Sequence, residues 1–513
     1  MAGLLTDQLR LMAHAYPDKV AYCNVDSGDR VTFADWEAES NRLARGLRAR
    51  GVGKGDRVAI CLEPGQILDW IVTYSAVHKA GAVSVPTNNR LSPGEVKTIY
   101  EHAEVTAVVT TGRYADTVGP LIGGLASLRL VVRVGDRPLP GSVGLAEAKD
   151  PDAAEIQVPL DLDDLADLMY TSGTTGRPKG VSVRHRGVAL LPNAVPAWTG
   201  RAWLISSPVF TFAGIGFIYN PMKAGMTVLY LPAFDAGRWL ELVERERPTS
   251  AFIVPAMAQL IINHPRFADA DLSSLTLCVL GSASLAPETL RRLQNKMPNA
   301  AVLNSYGMTE GGYATFSMDP EGSRTRPGAV GRPRNSVEVR IIDDAGVPRP
   351  VGEIGEVITR NPAGHREYYK DPVATAEMWR GGWLHSGDLG YLDEDGYLYI
   401  VGRKKEMIVR GGMNVYPDDV EAVLHAHPAV REAAIIGVRH PVLGEDLAAF
   451  VVIRDGVSVT ADQLRAFAAG RLADYKVPRS ITFLAELPRN ATGKVLKRKL
   501  AELVADSGPA PPS

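Results

Sequence analysis

Cysteine is scarce. Cys23, Cys61 and Cys278 are the only three in 513 residues, and their wide separations fit neither a disulfide framework nor a zinc site. Each reads as a small buried apolar residue in a reducing compartment. An excess of charge of one sign is also missing: 56 Lys and Arg face 58 Asp and Glu, for a formal net charge of −2, with no long single-sign run. A nucleic-acid-binding protein needs a basic patch for affinity, so that class is excluded. No apolar run reaches the length of a membrane span, and residues 1–20 lack the basic-then-apolar pattern of a secretory leader. The final Gly508-Pro-Ala-Pro-Pro-Ser reads as a short disordered tail and is not a Ser-Lys-Leu peroxisomal address. Repeats and low-complexity stretches are absent. What remains, 45% hydrophobic and 22% charged, is the composition of a globular protein, with the cytoplasm as its expected location.

The length exceeds one ordinary core, so two or more domains are expected. Short apolar runs alternate with helical patterns through the first four hundred residues. Arg57-Val-Ala-Ile-Cys-Leu and Ala82-Val-Ser-Val-Pro read as strands around a helix over Ile67–Ala80, and Ala251-Phe-Ile-Val and Leu277-Cys-Val-Leu-Gly repeat the pattern before a helix over Pro287–Lys296. Such alternation predicts an α/β fold of layered, mostly parallel sheets. From about Val337 the texture changes to short alternating segments between Gly, Pro and Asp turns, which predicts an antiparallel β unit. Past Arg403, helices over Pro417–His425 and Ala461–Leu472 and strands over Glu432–Val438, Leu447–Val452 and Ile481–Leu484 suffice for a small α+β domain. The division expected is 1–403 and 404–513, with a hinge near Lys405 short enough for rotation of one rigid body against the other.

The densest local signal is Tyr170-Thr-Ser-Gly-Thr-Thr-Gly-Arg-Pro-Lys-Gly180. A flexible backbone here can turn several N–H groups towards phosphate oxygens. Thr171, Ser172, Thr174 and Thr175 add hydroxyl donors, Gly173 and Gly176 add freedom, and Arg177 and Lys179 add charge. Leu165–Tyr170 reads as the strand that delivers this loop. The spacing is not that of the P-loop NTPases, because Pro178 interrupts any helix start and Val181-Ser-Val-Arg alternates like a strand.

The loop resembles the phosphate loop of the adenylate-forming superfamily of acyl-CoA synthetases, peptide-synthetase adenylation domains and luciferases. Four later segments resemble that superfamily's motifs in order: Asn304-Ser-Tyr-Gly-Met-Thr-Glu310, Trp383-Leu-His-Ser-Gly-Asp388, Gly402-Arg-Lys-Lys-Glu406 with Arg410-Gly-Gly-Met-Asn-Val-Tyr-Pro417, and Pro488-Arg-Asn-Ala-Thr-Gly-Lys494. The resemblance implies ATP and Mg²⁺, with Glu310 helping to bind the metal through the phosphates and Thr309 at the α-phosphate. It puts Tyr306, within Asn304, Ser305 and Gly307, against adenine, and Gly281, Ser282 and Ala283 on the opposite wall. Asp388 is implied at the ribose hydroxyls, Arg403 at ribose or phosphate, and Lys494 as the cation bridging the substrate carboxylate and the α-phosphate. Composition alone would leave Glu310, Asp388, Arg403 and Lys494 as solvated surface residues. The motifs reverse that reading.

Gly411 and Gly412 are implied beside a pantetheine tunnel, where a thiol attacks after rotation about Lys405. Their context, Gly-Gly-x-Asn-Val-Tyr-Pro, resembles stand-alone acyl-CoA ligases, so CoA is the expected co-substrate. A carrier-protein phosphopantetheine is the alternative. Pro208-Val-Phe-Thr-Phe-Ala-Gly214 departs from the family pattern by placing Thr211 where His or an aromatic residue is common. The expected acyl wall of Phe210, Thr211, Phe212, Ile215, Met308 and Gly312 has no charge to pair with an amino group. An amino acid is therefore disfavoured, fatty, alicyclic and aryl acids stay open, and a medium-sized apolar acid, fatty or alicyclic, is expected. His365 and His385 lack metal-site spacing and read as structural. No nucleic acid or integral membrane segment enters the expected set of partners, and a homodimer is left open.

Overall fold

The computed structural model describes residues 3–171, 178–188, 191–281, 287–312, 316–334, 337–361, 364–490 and 493–506. The chain divides into two compact units, each assembled from separated stretches. One comprises residues 1–252, 307–314 and 361–377, and the other residues 253–306, 315–360 and 378–513.

In the first unit, the buried apolar runs expected as strands form an eight-stranded sheet. Its central strands, Leu165–Thr171, Val83–Pro86, Arg57–Cys61, Val105–Thr111, Leu130–Val134 and Val143–Gly144, run parallel in that spatial order. Val105–Thr111 is buried at every position, the signature of a strand covered on both faces. Lys179–Arg184 then pairs antiparallel with Leu165–Thr171, and Glu367–Tyr368 pairs antiparallel with Lys179–Arg184. The strands on either side of the phosphate-loop segment are thus antiparallel neighbours, and it is a strand that follows the segment, not a helix. A second group in this unit has Val20–Asn24, Met226–Tyr230, Arg201–Ile205 and Ser250–Ile253 parallel, with Arg30–Thr32 antiparallel at its edge. The helix Ile67–Lys79 ends within one residue of its expected limit. It is buried nearly all round, covering Trp70, Ile71, Tyr74 and Val77 together with polar Thr73, Ser75 and His78.

In the second unit, Leu277–Leu280 and Ala301–Asn304 pair in parallel around the helix Pro287–Lys296. The antiparallel unit expected from Val337 is present. Ala329–Pro333, Leu398–Arg403, Trp383–Leu392, Gly355–Arg360 and Glu338–Ile342 form one meandering sheet around Val330, Ile341, Val357 and Leu398. Near the C-terminus, Val430–His440 and Gly444–Ile453 make a long hairpin flanked by Ile408–Arg410, Met413–Val415 and Ser480–Phe483. Helices Pro417–His425 and Ala461–Ala469 cover one face through Val420, Leu424, Leu464 and Ala468. Leu500, on the helix Lys497–Asp506, covers the other with Phe450 and Leu487. Fully burying a Leu such as Leu500 contributes about 1.5–3 kcal/mol to holding this last helix against the sheet.

All three cysteines are free and buried. No helix among the described residues is long and apolar enough to cross a membrane.

Candidate active site

In the first unit the carboxylate of Glu310 is the focus. It sits on a short turn, Thr309–Gly311, closed by a bridge between Met308 and Gly312. The Tyr368 hydroxyl donates to Glu310 Oε1 at 3.2 Å, and the Thr171 hydroxyl approaches the same oxygen at 3.5 Å. Burial, and then the charge of Glu310, push the Tyr368 pKa up, so this hydroxyl stays a donor. The ammonium of Lys179 lies 4.8 Å from the Tyr368 ring centroid. Thr171 ends one strand of the phosphate-loop hairpin and Lys179 begins the other, directly across from it in register. Ser172, Gly173, Thr174, Thr175, Gly176 and Arg177 lie outside the described residues, as do Ser282 and Ala283.

In the second unit, Leu280 and Asn304 are register partners at the carboxyl ends of adjacent parallel strands, and Ser305 N–H donates to Leu280 C=O at 2.7 Å. Gly281 and Tyr306 therefore leave the sheet at the same edge, the place where open α/β sheets bind ligands. The Tyr306 hydroxyl donates to Asp388 Oδ2 at 2.6 Å, while Arg403 Nε meets Asp388 Oδ1 at 2.9 Å. The side chain of Asp388 is only 6% exposed. Register explains the second contact, because Asp388 and Arg403 face each other across paired strands. Burial, and next the charge of Asp388, raise the Tyr306 pKa, and its ring packs against Phe316 at 5.8 Å.

Lys494 is anchored to Asn490. Asn490 and Lys494 bond backbone to backbone at 2.9 Å, and the Asn490 side chain accepts from Lys494 N–H at 2.9 Å. Gly493 has φ +82°, a conformation that favours glycine, and a side chain there would meet Val254 and Ala256. Lys497, the next lysine, is neutralised by Glu421 at 3.0 Å and Glu406 at 3.3 Å. Among the described residues Lys494 has no such ion pair. Its side chain reaches solvent yet is crowded by protein, which lowers its pKa first by desolvation and then through Arg403. Glu406 and Asp388 pull in the opposite direction without cancelling that shift. An unpaired cation beside a second cation is an arrangement that an anionic ligand relieves.

Residues 9–369 match the model of the AMP-binding enzyme family, and residues 419–494 match the AMP-binding enzyme C-terminal domain. The chain belongs to the AMP-binding enzyme family. It is 39% identical to a feruloyl-CoA synthase of Amycolatopsis over 92% of this chain and 93% of that one. It is 31% identical to a long-chain fatty acid CoA ligase of Bacillus subtilis over 98% and 94%. Among solved structures it superposes on the anthranilate CoA ligase AuaEII bound to anthranoyl-AMP with a TM-score of 0.87, at 26% identity over 98% of both chains. At that level the protein is an acyl-CoA ligase, a kind of enzyme that uses ATP, Mg²⁺ and CoA.

The donor set of this ligase fits Mg²⁺ in a specific way. Among the described residues no group of three or more His, Cys, Asp or Glu could hold a metal by itself. One hard carboxylate at Glu310, set among hydroxyls, suits an ion that keeps its waters and arrives on phosphates. His365 stands 56% exposed, 3.9 Å from Glu367, and His385 lies between Arg380 and Glu356.

The residues expected as the acyl wall lie in different surroundings. Phe212, Thr309 and Gly312 meet through Arg366, a residue without any sequence signal. Its guanidinium stacks on Phe212 at 4.1 Å, donates to the Thr309 carbonyl at 2.7 Å, and lies where a side chain at Gly312 would touch it. Phe210 lines a separate small cavity with Leu62, Trp70 and Tyr230. Ile215 is 2% exposed.

Thr211 has a local task as well. It is the N-cap of the helix Phe212–Lys223, accepting from Gly214 N–H at 3.0 Å and donating to Pro208 C=O at 2.8 Å. Thr211→Val keeps the volume and removes the cap, so stability should fall by about 1 kcal/mol while preference among acids stays constant. Thr211→Trp should instead penalise branched and cyclic acids relative to straight chains of equal carbon number. Thermal melts and kcat/KM ratios on both variants check this. An unchanged ratio in Thr211→Trp removes residue 211 from the acyl wall.

Proposed function

We propose that the protein activates a medium-sized apolar carboxylic acid, fatty or alicyclic, in two steps. A carboxylate oxygen attacks the α-phosphorus of ATP, forming the acyl-adenylate and releasing pyrophosphate. The thiolate of CoA then attacks the acyl carbon, the carbon–oxygen bond to AMP breaks, and AMP leaves. The transition state of the first step is rich in negative charge, so positioning and electrostatic stabilisation carry the catalysis. Mg²⁺, when bound, neutralises phosphate charge beside Glu310. Asp388 accepts from the ribose hydroxyls, Tyr306 sets the adenine plane, Arg403 holds ribose or phosphate, and Lys494 bridges the carboxylate and the α-phosphate. The observation that carries this reading is the Lys494 ammonium, without an ion pair among the described residues and within the electrostatic reach of Arg403 and Asp388. The test is pyrophosphate release across a panel of acids, with thioester formation followed in parallel. Apolar acids of intermediate size should give both products with free CoA. Pyrophosphate release without a CoA thioester would overturn CoA as the acceptor and favour a carrier-protein thiol.

The second step in this reading uses rotation about Lys405, on the short turn Lys404–Glu406 that joins Leu398–Arg403 to Ile408–Arg410. It also uses Gly411 and Gly412 beside the pantetheine arm. Both glycines have positive φ, +58° and +83°, and form the two-residue turn between Arg410 and Met413. That geometry is a type I′ hairpin, which demands left-handed residues in its own right. Gly412 also has open space around it. A bulky side chain at 412 would therefore strain the hairpin as well as obstruct a tunnel. Gly412→Asn separates the two effects, because Asn tolerates the left-handed turn. It should leave pyrophosphate exchange within about twofold of wild type and lower thioester formation several-fold. Normal CoA turnover in this variant would remove Gly412 from the tunnel.

A further inference from the structure

A cavity of about 470 Å³ lies in the second unit, and Tyr306, Asp388, Arg403 and Lys494 do not line it. Gln259, Thr289, Arg292, His425, His427 and Arg454 are among the residues that line it. Its charge is unbalanced. Three guanidiniums, Arg291, Arg292 and Arg454, share the lining with one carboxylate, Glu288. That carboxylate is taken up by Arg291 at 2.6 Å.

The other two arginines have only neutral partners among the described residues. Arg292 donates to Ile262 C=O at 2.6 Å and to Asn263 Oδ1 at 3.5 Å. Arg454 donates to the same Asn263 oxygen. Two like charges therefore converge on a single amide oxygen, which neutralises neither. Two donors there are also buried without any acceptor: Arg454 Nε and Asn263 Nδ2. Buried polar groups left in that state call for a partner, and the partner that satisfies guanidinium forks and repulsion together is a multivalent oxyanion. Burial, and next Arg292, lower the Arg454 pKa, the direction expected where a cation lacks its anion. The volume falls in the roughly 300–1,000 Å³ range of small-molecule sites.

We infer that this cavity binds a small phosphate-bearing anion, held between Arg292 and Arg454 and separate from the residues proposed for adenylation. The geometry stands without the ligase reading. That reading supplies the two sources to compare: free pyrophosphate, which adenylation releases, and the phosphorylated nucleoside end of CoA.

The test is calorimetric titration of the full chain with pyrophosphate and, separately, with adenosine 3′,5′-bisphosphate. It is run on wild type, on the double variant Arg292→Gln/Arg454→Gln, and on His427→Glu. The His427 variant keeps both arginines and sets a carboxylate in the cavity, so it covers the case in which the double variant fails to fold. For the ligand that belongs to the site, both variants should lose one bound equivalent, or at least tenfold in affinity. Binding elsewhere persists as an internal reference, and pyrophosphate exchange at saturating ATP should stay at the wild-type rate. Equal binding of both ligands by wild type and folded variants overturns the site. Loss of exchange together with binding overturns its separateness from the adenylation residues.

Discussion

Lys494→Ala should slow adenylation by about two to three orders of magnitude while leaving thioester formation from supplied acyl-adenylate near the wild-type rate. Only the first transition state needs a cation at the α-phosphate, and removing one preorganised charge contact costs roughly 3–4 kcal/mol there. The structure makes the substitution clean. The loop keeps its backbone bond between residues 490 and 494 and the Asn490 cap on residue 494 N–H, neither of which uses the lysine side chain. Lys497 is committed to Glu421 and Glu406 and is not free to take over. A pH dependence follows with a definite sign. Desolvation, and then Arg403, hold the Lys494 pKa below its ordinary 10.5, so the required charge is lost as pH rises through that lowered value. The alkaline limb of the adenylation profile should therefore fall earlier than an ordinary lysine would allow, and that limb should vanish in the alanine variant. Pyrophosphate exchange, thioester assay and circular dichroism on one preparation decide the matter. Equal loss of both half-reactions in a folded protein would refute the role.

Glu310→Gln should raise the Mg²⁺ concentration for half-maximal adenylation and lower kcat/KM for ATP by roughly a hundredfold. Glutamine keeps the size of the side chain and an oxygen that accepts from the Tyr368 and Thr171 hydroxyls, so the turn Thr309–Gly311 should persist. What it removes is the negative charge, and among the described residues no cluster of other ligands stands ready to replace it. Mg²⁺ titrations at fixed ATP read the effect directly. An unaltered Mg²⁺ requirement would leave Glu310 as a structural acceptor for the two hydroxyls and nothing more.

Much of this molecule follows from local signals. Periodicity set the helix Ile67–Lys79 within one residue of its end, and alternation between turn residues announced the antiparallel unit to which Gly355–Arg360 belongs. The long hairpin runs further than its apolar core suggested, to Val430–His440 and Gly444–Ile453, because ladder pairing carries polar ends along. The helix expected to reach Leu472 stops at Ala469 instead, with Gly470 as its cap. Five ordered motifs determined the family and the chemistry class, since each is contiguous and each demands particular residue types.

Tertiary structure alone decided which side chains meet. Thr171 and Glu310 are 139 residues apart, Tyr306 and Asp388 82, and Thr309 and Arg366 57. Nothing in a local pattern distinguishes Arg366 or Tyr368 from a solvated arginine or a surface tyrosine. The guanidinium of Arg366 is buried only because the fold brings Phe212 and the Thr309 carbonyl to it. Local geometry likewise gave Thr211 and Gly412 duties, a helix cap and a hairpin turn, that the motif reading had not assigned. The convergence of Arg292 and Arg454 on Asn263 belongs to the same class. Periodicity, capping and turn chemistry act over a few residues and are written along the chain. Ion pairs, shared acceptors and buried charges depend on distances that only a packed fold sets.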